Sequence, residues 1–402
     1  MKYVVFLGDG MADFPNKELS GKTPLELAEK PNMDKLAKAG AMGLAKTVDD
    51  SLSPGSDVAN LSVLGYDPLQ YYSGRSPLEA LSIGVELKET DVTFRANLVT
   101  LSDEAEYSEK TMVDYSSGEI TTAESTALIE YLQENLVVEN FALYSGISYR
   151  HLLVWDKGTT DVNLTPPHDI SGRKVTEYLP GGEFGELLLG IMQKSHELLT
   201  GHPINQDRIK RGLNPANSLW IWGEGTKPAL DSFYEKFGVK GTMISAVDLL
   251  KGIAVGTGMQ VAEVADVTGN IDTNFDGKAE AAIKALSSGQ DFVYIHVEAP
   301  DECGHHGQHD LKIKAIELID EKIVGPVLEY LEASGEDYSV LLTPDHPTPL
   351  ELLTHVKNPV PFVLYKKGQG EGSGLSYTEK NAESTGLFVE KGSELMNMLL
   401  GK

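Results

Sequence analysis

Residues 299–310, APDECGHHGQHD, hold three histidines, three acids and the only cysteine of the chain. The whole sequence has ten histidines, so three within five positions is a local concentration of imidazole. Asp301 and His305 are spaced i, i+4. Other carboxylates and imidazoles sit where apolar runs end: Asp9, the adjacent pair Asp345-His346, and His355 nine residues further on. Mixed carboxylate and imidazole ligands suit Mn²⁺ or Zn²⁺, whereas sites made only of oxygen suit Mg²⁺ or Ca²⁺. Six such ligands are too many for one tetrahedral ion and fit two ions sharing a site. Each residue also has a plainer reading, since an Asp after a strand often caps a helix. Their common position at the ends of expected strands favours two divalent metal ions.

A nucleophile is offered by LSPGSDVANLSVLGYDP, residues 52–68. Ser56 follows Pro54-Gly55 and opens an expected helix over 57–64. Its hydroxyl would lie beside free backbone N–H groups, at the helix end that favours an anion. A metal on its oxygen would lower the hydroxyl pKa. The competing reading is that Ser56 is a helix cap and nothing more.

These residues need a frame to bring them together. Short apolar runs at 3–7, 218–222, 243–245, 292–297, 339–343 and 361–365 read as strands buried on both faces. Amphipathic stretches at 25–39, 246–253 and 310–331 read as helices between them. The alternation predicts an α/β fold with a doubly wound, mostly parallel sheet, which binds ligands at the carboxyl ends of its strands. Residues 88–185 differ in texture: strands at 93–101 and 151–155, a helix at 122–134, and a Pro-, Thr- and Gly-rich stretch at 158–180. The expected organisation is a core formed by 1–87 and 186–402, with 88–185 inserted as a smaller α+β domain.

The net charge of −26 excludes a nucleic-acid backbone or an anionic membrane as a partner held by the overall field. An anionic substrate would need local cations, and bound metal ions serve. With one cysteine no internal disulfide forms. No segment approaches the length of a membrane span. The expected location is cytoplasmic, and the sequence names no protein partner.

GDGMAD, PGSDVANLSVLGYDP, DECGHHG, TPDH and the H-x-x-x-P-V-P-F stretch at 355–362 occur in one order. Together they resemble the cofactor-independent phosphoglycerate mutases of the alkaline phosphatase superfamily, and most of all the shorter archaeal-type branch. The likeness extends through YYSGRSPLEA, FRANLVTL, YRHLLVW and NPANSLWIWGEGTKP, so it covers essentially the whole chain. It implies an interconversion of 3-phosphoglycerate and 2-phosphoglycerate, independent of 2,3-bisphosphoglycerate, through a phosphoserine at Ser56. One ion would be held by Asp9, Ser56, Asp345 and His346, the other by Asp301, His305 and His355. His306 and His309 fall outside the family's D-x-x-x-H pattern and are expected not to be ligands. Cys303, a soft thiolate among hard oxygens, is expected to be packing.

The insert would be a lid that holds a small phosphorylated acid and keeps water from the phosphoryl group. For that role it offers Arg95, Arg150 and Arg173 as anion contacts, Arg150 foremost, and His168-Asp169 as the acid/base pair. Two departures from the longer mutases bear on the substrate. Where those carry phosphate-binding arginines, this chain reads WIWGEGTK, with Lys227 alone; Lys251 is the candidate to replace the family's phosphate-site lysine. Bacterial relatives of this branch have been proposed as homoserine kinases, so transfer to or from another small acid, or plain phosphatase action, stands as the alternative.

Overall fold

The computed structural model describes residues 1–402. In chain order the strands are β1 (Lys2–Gly8), β2 (Ala41–Ala45), β3 (Asp91–Leu101), β4 (Met112–Asp114), β5 (Phe141–Tyr144), β6 (Arg150–Asp156) and β7 (Ser218–Thr226). They continue with β8 (Gly241–Ile244), β9 (Gln260–Val261), β10 (Phe292–Val297), β11 (Tyr338–Thr343), β12 (Val360–Lys366) and β13 (Phe388–Val389). The chain divides into two units, one of residues 1–72 with 229–402 and one of residues 73–228.

The first unit is built on an eight-stranded sheet in the order β13-β2-β12-β11-β1-β10-β8-β9. The strands of its middle, β11, β1, β10 and β8, run parallel, while β12 is antiparallel to both its neighbours. Alternation along these strands sorts the core. Val4, Phe6, Val293, Ile295, Val340 and Leu342 face the helices Pro31–Ala39, Phe275–Ser287 and His309–Ile319. Phe292, Tyr294 and His296 face the other way; Phe292 packs on Phe233, and the Tyr294 hydroxyl donates to Asn60 of the helix Ser56–Val63. The parallel strands therefore end together, and Asp9, Glu298 and Pro344 each follow one of those ends.

Two expected helices are modified. The stretch 25–39 is broken into Pro24–Leu27 and Pro31–Ala39. Lys30 precedes a proline, which disfavours the helical region for it. Its backbone accordingly sits at φ −135°, ψ 61°. The stretch 310–331 is one long helix, interrupted by a π-helical turn at Asp320–Val324 where the Gly325 N–H reaches back to the Asp320 carbonyl. Pro326 has no N–H to give, and a π-turn is a common resolution of such a defect. The bulge aims Asp320 at the start of the neighbouring helix, where its buried carboxylate accepts from the N–H groups of Asn32 (3.2 Å) and Met33 (2.7 Å).

The second unit carries a five-stranded sheet in which β3 is central, paired antiparallel with β4, β6 and β7. One face, with Phe94, Ala96, Leu98, Leu153 and Trp155, forms the core beneath the helices Thr122–Asn135 and Gly185–Thr200. This unit is wider than the expected insert of 88–185. The apolar pattern puts residues 218–222 among the core's parallel strands, but β7 pairs antiparallel with β3, from Val92↔Thr226 to Val99↔Ser218. The sequence SLWIWGEGT reads like a core strand because it too is nearly all buried at its start. Only its partner distinguishes it, and partnership is not local information.

Candidate active site

In the first unit the β1 end places Asp9, whose carboxylate is 1% exposed. The next residue must be glycine, because only glycine accepts a positive φ without strain. Gly10 has φ +59°, and a Cβ there would lie 2.5 Å from Asp301 Oδ1 and from Thr348 Oγ1. Its N–H donates to Asp345 Oδ1 (3.1 Å). The β10 end leads into the short helix Ala299–His305, which carries Asp301 in its first turn and His305 in its last. A spacing of four puts both on one helix face. His305 Nε2 lies 3.3 Å from Asp301 Oδ2. Following β11, Asp345 and His346 are fully buried, and the loop beyond brings in His355.

Gly55 occupies the cap position of the helix Ser56–Val63, with extended backbone. Ser56 is the first helical residue, and its side chain caps nothing. Instead its Oγ lies 3.3 Å from Asp9 Oδ2 and 3.2 Å from His346 Nε2. The side chains fall into two sets. Asp9, Asp345 and His346 converge within 4.8 Å of one another, as do Asp301, His346 and His355. His305 joins the second set, its Nε2 lying 2.8 Å from His355 Nε2 and the two aimed at the same space. His346 is near both sets, its ring centroid 4.0 Å from that of His355.

The chemistry of these donors fits divalent ions. Asp9 Oδ1 is buried with no hydrogen-bond partner, a costly arrangement without a cation. Burial, together with the neighbouring Asp345 and Asp301 carboxylates, pushes the Asp9 carboxyl well above the usual range. Burial would also raise Asp301, but hydrogen bonds to His305 and His355 hold it well below that range. The reciprocal effect raises His305 to about 9, through its bond to Asp301. Of the remaining histidines in the cluster, His306 is exposed and its Nδ1 lies 2.8 Å from the Glu302 carbonyl. His309 faces Asn16 (3.2 Å) and Glu18 (3.4 Å). Cys303 is buried.

Several supporting residues carry no signal strong enough to single them out in the sequence. Asn60 Nδ2 donates to Asp345 Oδ2 (2.8 Å) and is itself held by Tyr294 (2.7 Å). The Thr348 hydroxyl donates to Asp301 and lies 3.3 Å from His346 Nδ1. His296, a lone histidine inside the apolar strand FVYIHV, contacts Asp9. That position is the one legible hint. Lys251 sits on the helix Asp248–Gly256, 3.6 Å from Asp248.

In the second unit the sheet face opposite the core carries Arg95, Asn97, Arg150 and Trp222, brought together by the pairings Asn97↔Arg150 and Arg95↔Trp222. The Arg95 guanidinium stacks 4.3 Å over the Trp222 ring, whose Nε1 donates to Asn97 Oδ1 (2.9 Å). A cation over an indole face is attracted by the ring's quadrupole. Arg95 is buried, and Glu79 holds both it and Arg75 at 3.0 Å. Burial would raise Glu79, but Arg95 and Arg75 bring it below the ordinary value. His168 also packs on Trp222, at 5.2 Å, with Asp169 3.6 Å away. Burial lowers its pKa. Arg150 is exposed beside Tyr149. Arg173 is exposed as well, and donates to the Tyr178 hydroxyl (3.4 Å). Nothing in the sequence singles out Arg75 or Trp222.

Residues 37–205 match the family model described as 2,3-bisphosphoglycerate-independent phosphoglycerate mutase. The chain is 51% identical to a probable 2,3-bisphosphoglycerate-independent phosphoglycerate mutase of Geobacter sulfurreducens, over 100% of both chains. It is 48% identical to the protein of that name from Methanosarcina barkeri, over 100% of this chain and 99% of the relative. Among solved structures, a Pyrococcus horikoshii protein superposes with a TM-score of 0.82 at 30% identity, covering 100% of this chain and 96% of that one. The cofactor-independent phosphoglycerate mutase of Thermoplasma acidophilum gives 0.64 at 27% identity, covering 100% and 99%.

Proposed function

The chain belongs to the 2,3-bisphosphoglycerate-independent phosphoglycerate mutase family, and we propose that it interconverts 3-phosphoglycerate and 2-phosphoglycerate with Ser56 as the phosphoryl carrier. The observation that carries the reading is the position of the Ser56 hydroxyl. It lies within 3.3 Å of Asp9 and His346, two members of one ligand set, and caps no helix. Asp9, Ser56, Asp345 and His346 would hold one divalent ion, and Asp301, His305 and His355 the other. Mn²⁺ and Zn²⁺ suit this mixture of carboxylate and imidazole. Bound there, the ions would supply Lewis acidity toward a phosphoryl oxygen and favour the ionised form of the Ser56 hydroxyl.

In the first half-reaction the bond from Ser56 Oγ to phosphorus forms as the substrate's ester bond breaks, leaving glycerate and phospho-Ser56. In the second, the other glycerate hydroxyl takes the phosphoryl group and Ser56 is freed. Between them the glycerate must be kept and water excluded, otherwise the outcome is hydrolysis. We assign these duties to the second unit. Arg95 and Arg150 supply cations for the carboxylate, His168 with Asp169 supplies a proton donor and acceptor, and Arg173, exposed and bonded to Tyr178, is a further candidate anion contact. Lys251 is a candidate for the phosphate. A cytoplasmic protein is the corresponding expectation; no helix is long and apolar enough to cross a membrane.

The test is purified protein with Mn²⁺ and 3-phosphoglycerate, read through enolase. Steady formation of 2-phosphoglycerate without added 2,3-bisphosphoglycerate is expected. Release of inorganic phosphate in its place would make the protein a phosphatase. Phosphohomoserine formed from ATP and homoserine, with no mutase signal, would make it a kinase.

A further inference from the structure

His296 lies on β10, on the sheet face that carries Tyr294, and is fully buried. Its Nε2 is 2.8 Å from Asp9 Oδ2, and its Nδ1 is 3.1 Å from Ser245 Oγ. Ser245 Oγ already accepts the Val247 N–H (3.0 Å), so its own hydrogen is free to be given to Nδ1. The backbone carbonyl of His296 accepts from the buried Lys278 ammonium (3.0 Å), which fixes the strand at this residue. We propose that His296 is a positioning residue for the metal site: its Nε2–H holds Asp9 Oδ2, so that Oδ1 alone is presented to the ion shared with Asp345 and His346. The inference rests on the reading of Asp9 as a ligand.

A ligating Asp9 is ionised and can only accept. The opposite tautomer would set an Nε2 lone pair directly against the Asp9 Oδ2 oxygen, with no hydrogen between them. The Nε2–H form satisfies His296, Ser245 and Asp9 Oδ2, which Ser56 Oγ also approaches at 3.3 Å, and leaves over Oδ1, which has no hydrogen-bond partner and lies 3.4 Å from His346 Nε2. Fixing a ligand through an outer hydrogen bond is a general device of metal sites. Here the imidazole does for a carboxylate what carboxylates commonly do for ligating imidazoles.

Mn²⁺ affinity of the full chain separates a hydrogen-bonding role from a packing role. His296→Leu keeps an apolar side chain in the site and removes the donor. His296→Gln changes the shape but keeps an N–H that reaches Asp9. Equilibrium titration followed by the paramagnetic resonance of free Mn²⁺ should show one of two ions bound about 10- to 100-fold more weakly in His296→Leu. His296→Gln should return most of that affinity, and kcat should follow the same order with KM little changed. If the leucine variant does not fold, His296→Asn, whose amide stops short of Asp9, takes its place. Equal affinities for the donor and donor-free variants, or leucine binding as tightly as histidine, would overturn the clamp while leaving the metal reading intact. A wild-type protein that binds no Mn²⁺ at Asp9, Asp345 and His346 would overturn both.

Discussion

A histidine cluster invites the idea of one large metal site, yet only one of its three imidazoles points at the ligand sets. His305 is four residues from Asp301 on a seven-residue helix and shares its space with His355. His306, one position on, turns to the Glu302 carbonyl, and His309 turns to Asn16 and Glu18. Metal counts on alanine variants should therefore divide. His305→Ala is expected to lose about one ion per chain and nearly all activity, since a ligand is removed. His306→Ala and His309→Ala should retain both ions, and loss of an ion in either would contradict this geometry. The residues of the two sets were legible in the sequence because several aspartates and histidines fall at or shortly after the ends of apolar runs, and that joint recurrence outweighs the plainer reading of each alone. Asn60 and Thr348 were not, and His296 showed only as a lone histidine in an apolar strand, because each acts through a partner remote in sequence: Asp345, Asp301 and Asp9. An asparagine inside a helix or a threonine two residues beyond a histidine carries no mark of that partner.

At the scale of elements, β1, β8, β10, β11 and β12 of the first sheet were readable from apolar runs, whereas β2 and the two-residue strands β9 and β13 were not, and the expected helices at 25–39 and 310–331 proved to be interrupted beside Pro31 and Pro326. Pairing escaped as well. The run at 218–222 has the composition of a parallel core strand, but its place beside β3 moves residues 186–228 out of the expected core. The same pairing puts Trp222 under Arg95 and His168, which no local pattern anticipates. Two predictions belong here. Asp320→Ala removes the acceptor for two N–H groups at the start of Pro31–Ala39, and should destabilise the protein by about 1–3 kcal/mol in urea titration. Metal binding should be unchanged, since Asp320 contacts no ligand. On the sheet face of the second unit, His168→Ala or Arg150→Ala should lower mutase turnover by about 100-fold or more, while hydrolysis of an aryl phosphate changes far less. On the proposed mechanism, hydrolysis would need the metal site and Ser56 alone. Equal losses in both assays would remove these side chains from contact with the sugar acid.

For the molecule as a whole, the net charge of −26 leaves any gathering of cations in need of explanation, and Arg75, Arg95 and Arg150 gather around Glu79. The same excess of acid has a cost in the fold. Glu379 turns its carboxylate inward, accepting from the Asp13 N–H (3.1 Å) and the Thr23 hydroxyl (2.7 Å). Burial pushes its pKa to about 7, from an ordinary value of 4.5. Between those values the folded chain binds more protons than the unfolded one. Stability from this group is thus present at low pH and is lost as pH rises toward 7 and above, by at most about 3 kcal/mol. Glu379→Gln, neutral throughout, should match the wild type near pH 5 and exceed it in melting temperature at pH 8. A difference that is constant with pH would place the ionisation elsewhere.

Passage of the phosphoryl group through Ser56 is the step on which the proposed mutase reaction depends. It is tested most directly by mixing the Mn²⁺-loaded protein with 3-phosphoglycerate labelled in its phosphate, quenching within a turnover, and mapping the label by digestion. Label is expected on the peptide carrying Ser56 and on 2-phosphoglycerate, with little on inorganic phosphate. In Ser56→Ala both signals should disappear, and turnover should fall by about 1,000-fold or more. Labelled 2-phosphoglycerate formed at near wild-type rates by Ser56→Ala, or by a wild-type protein that never carries label at Ser56, would contradict it.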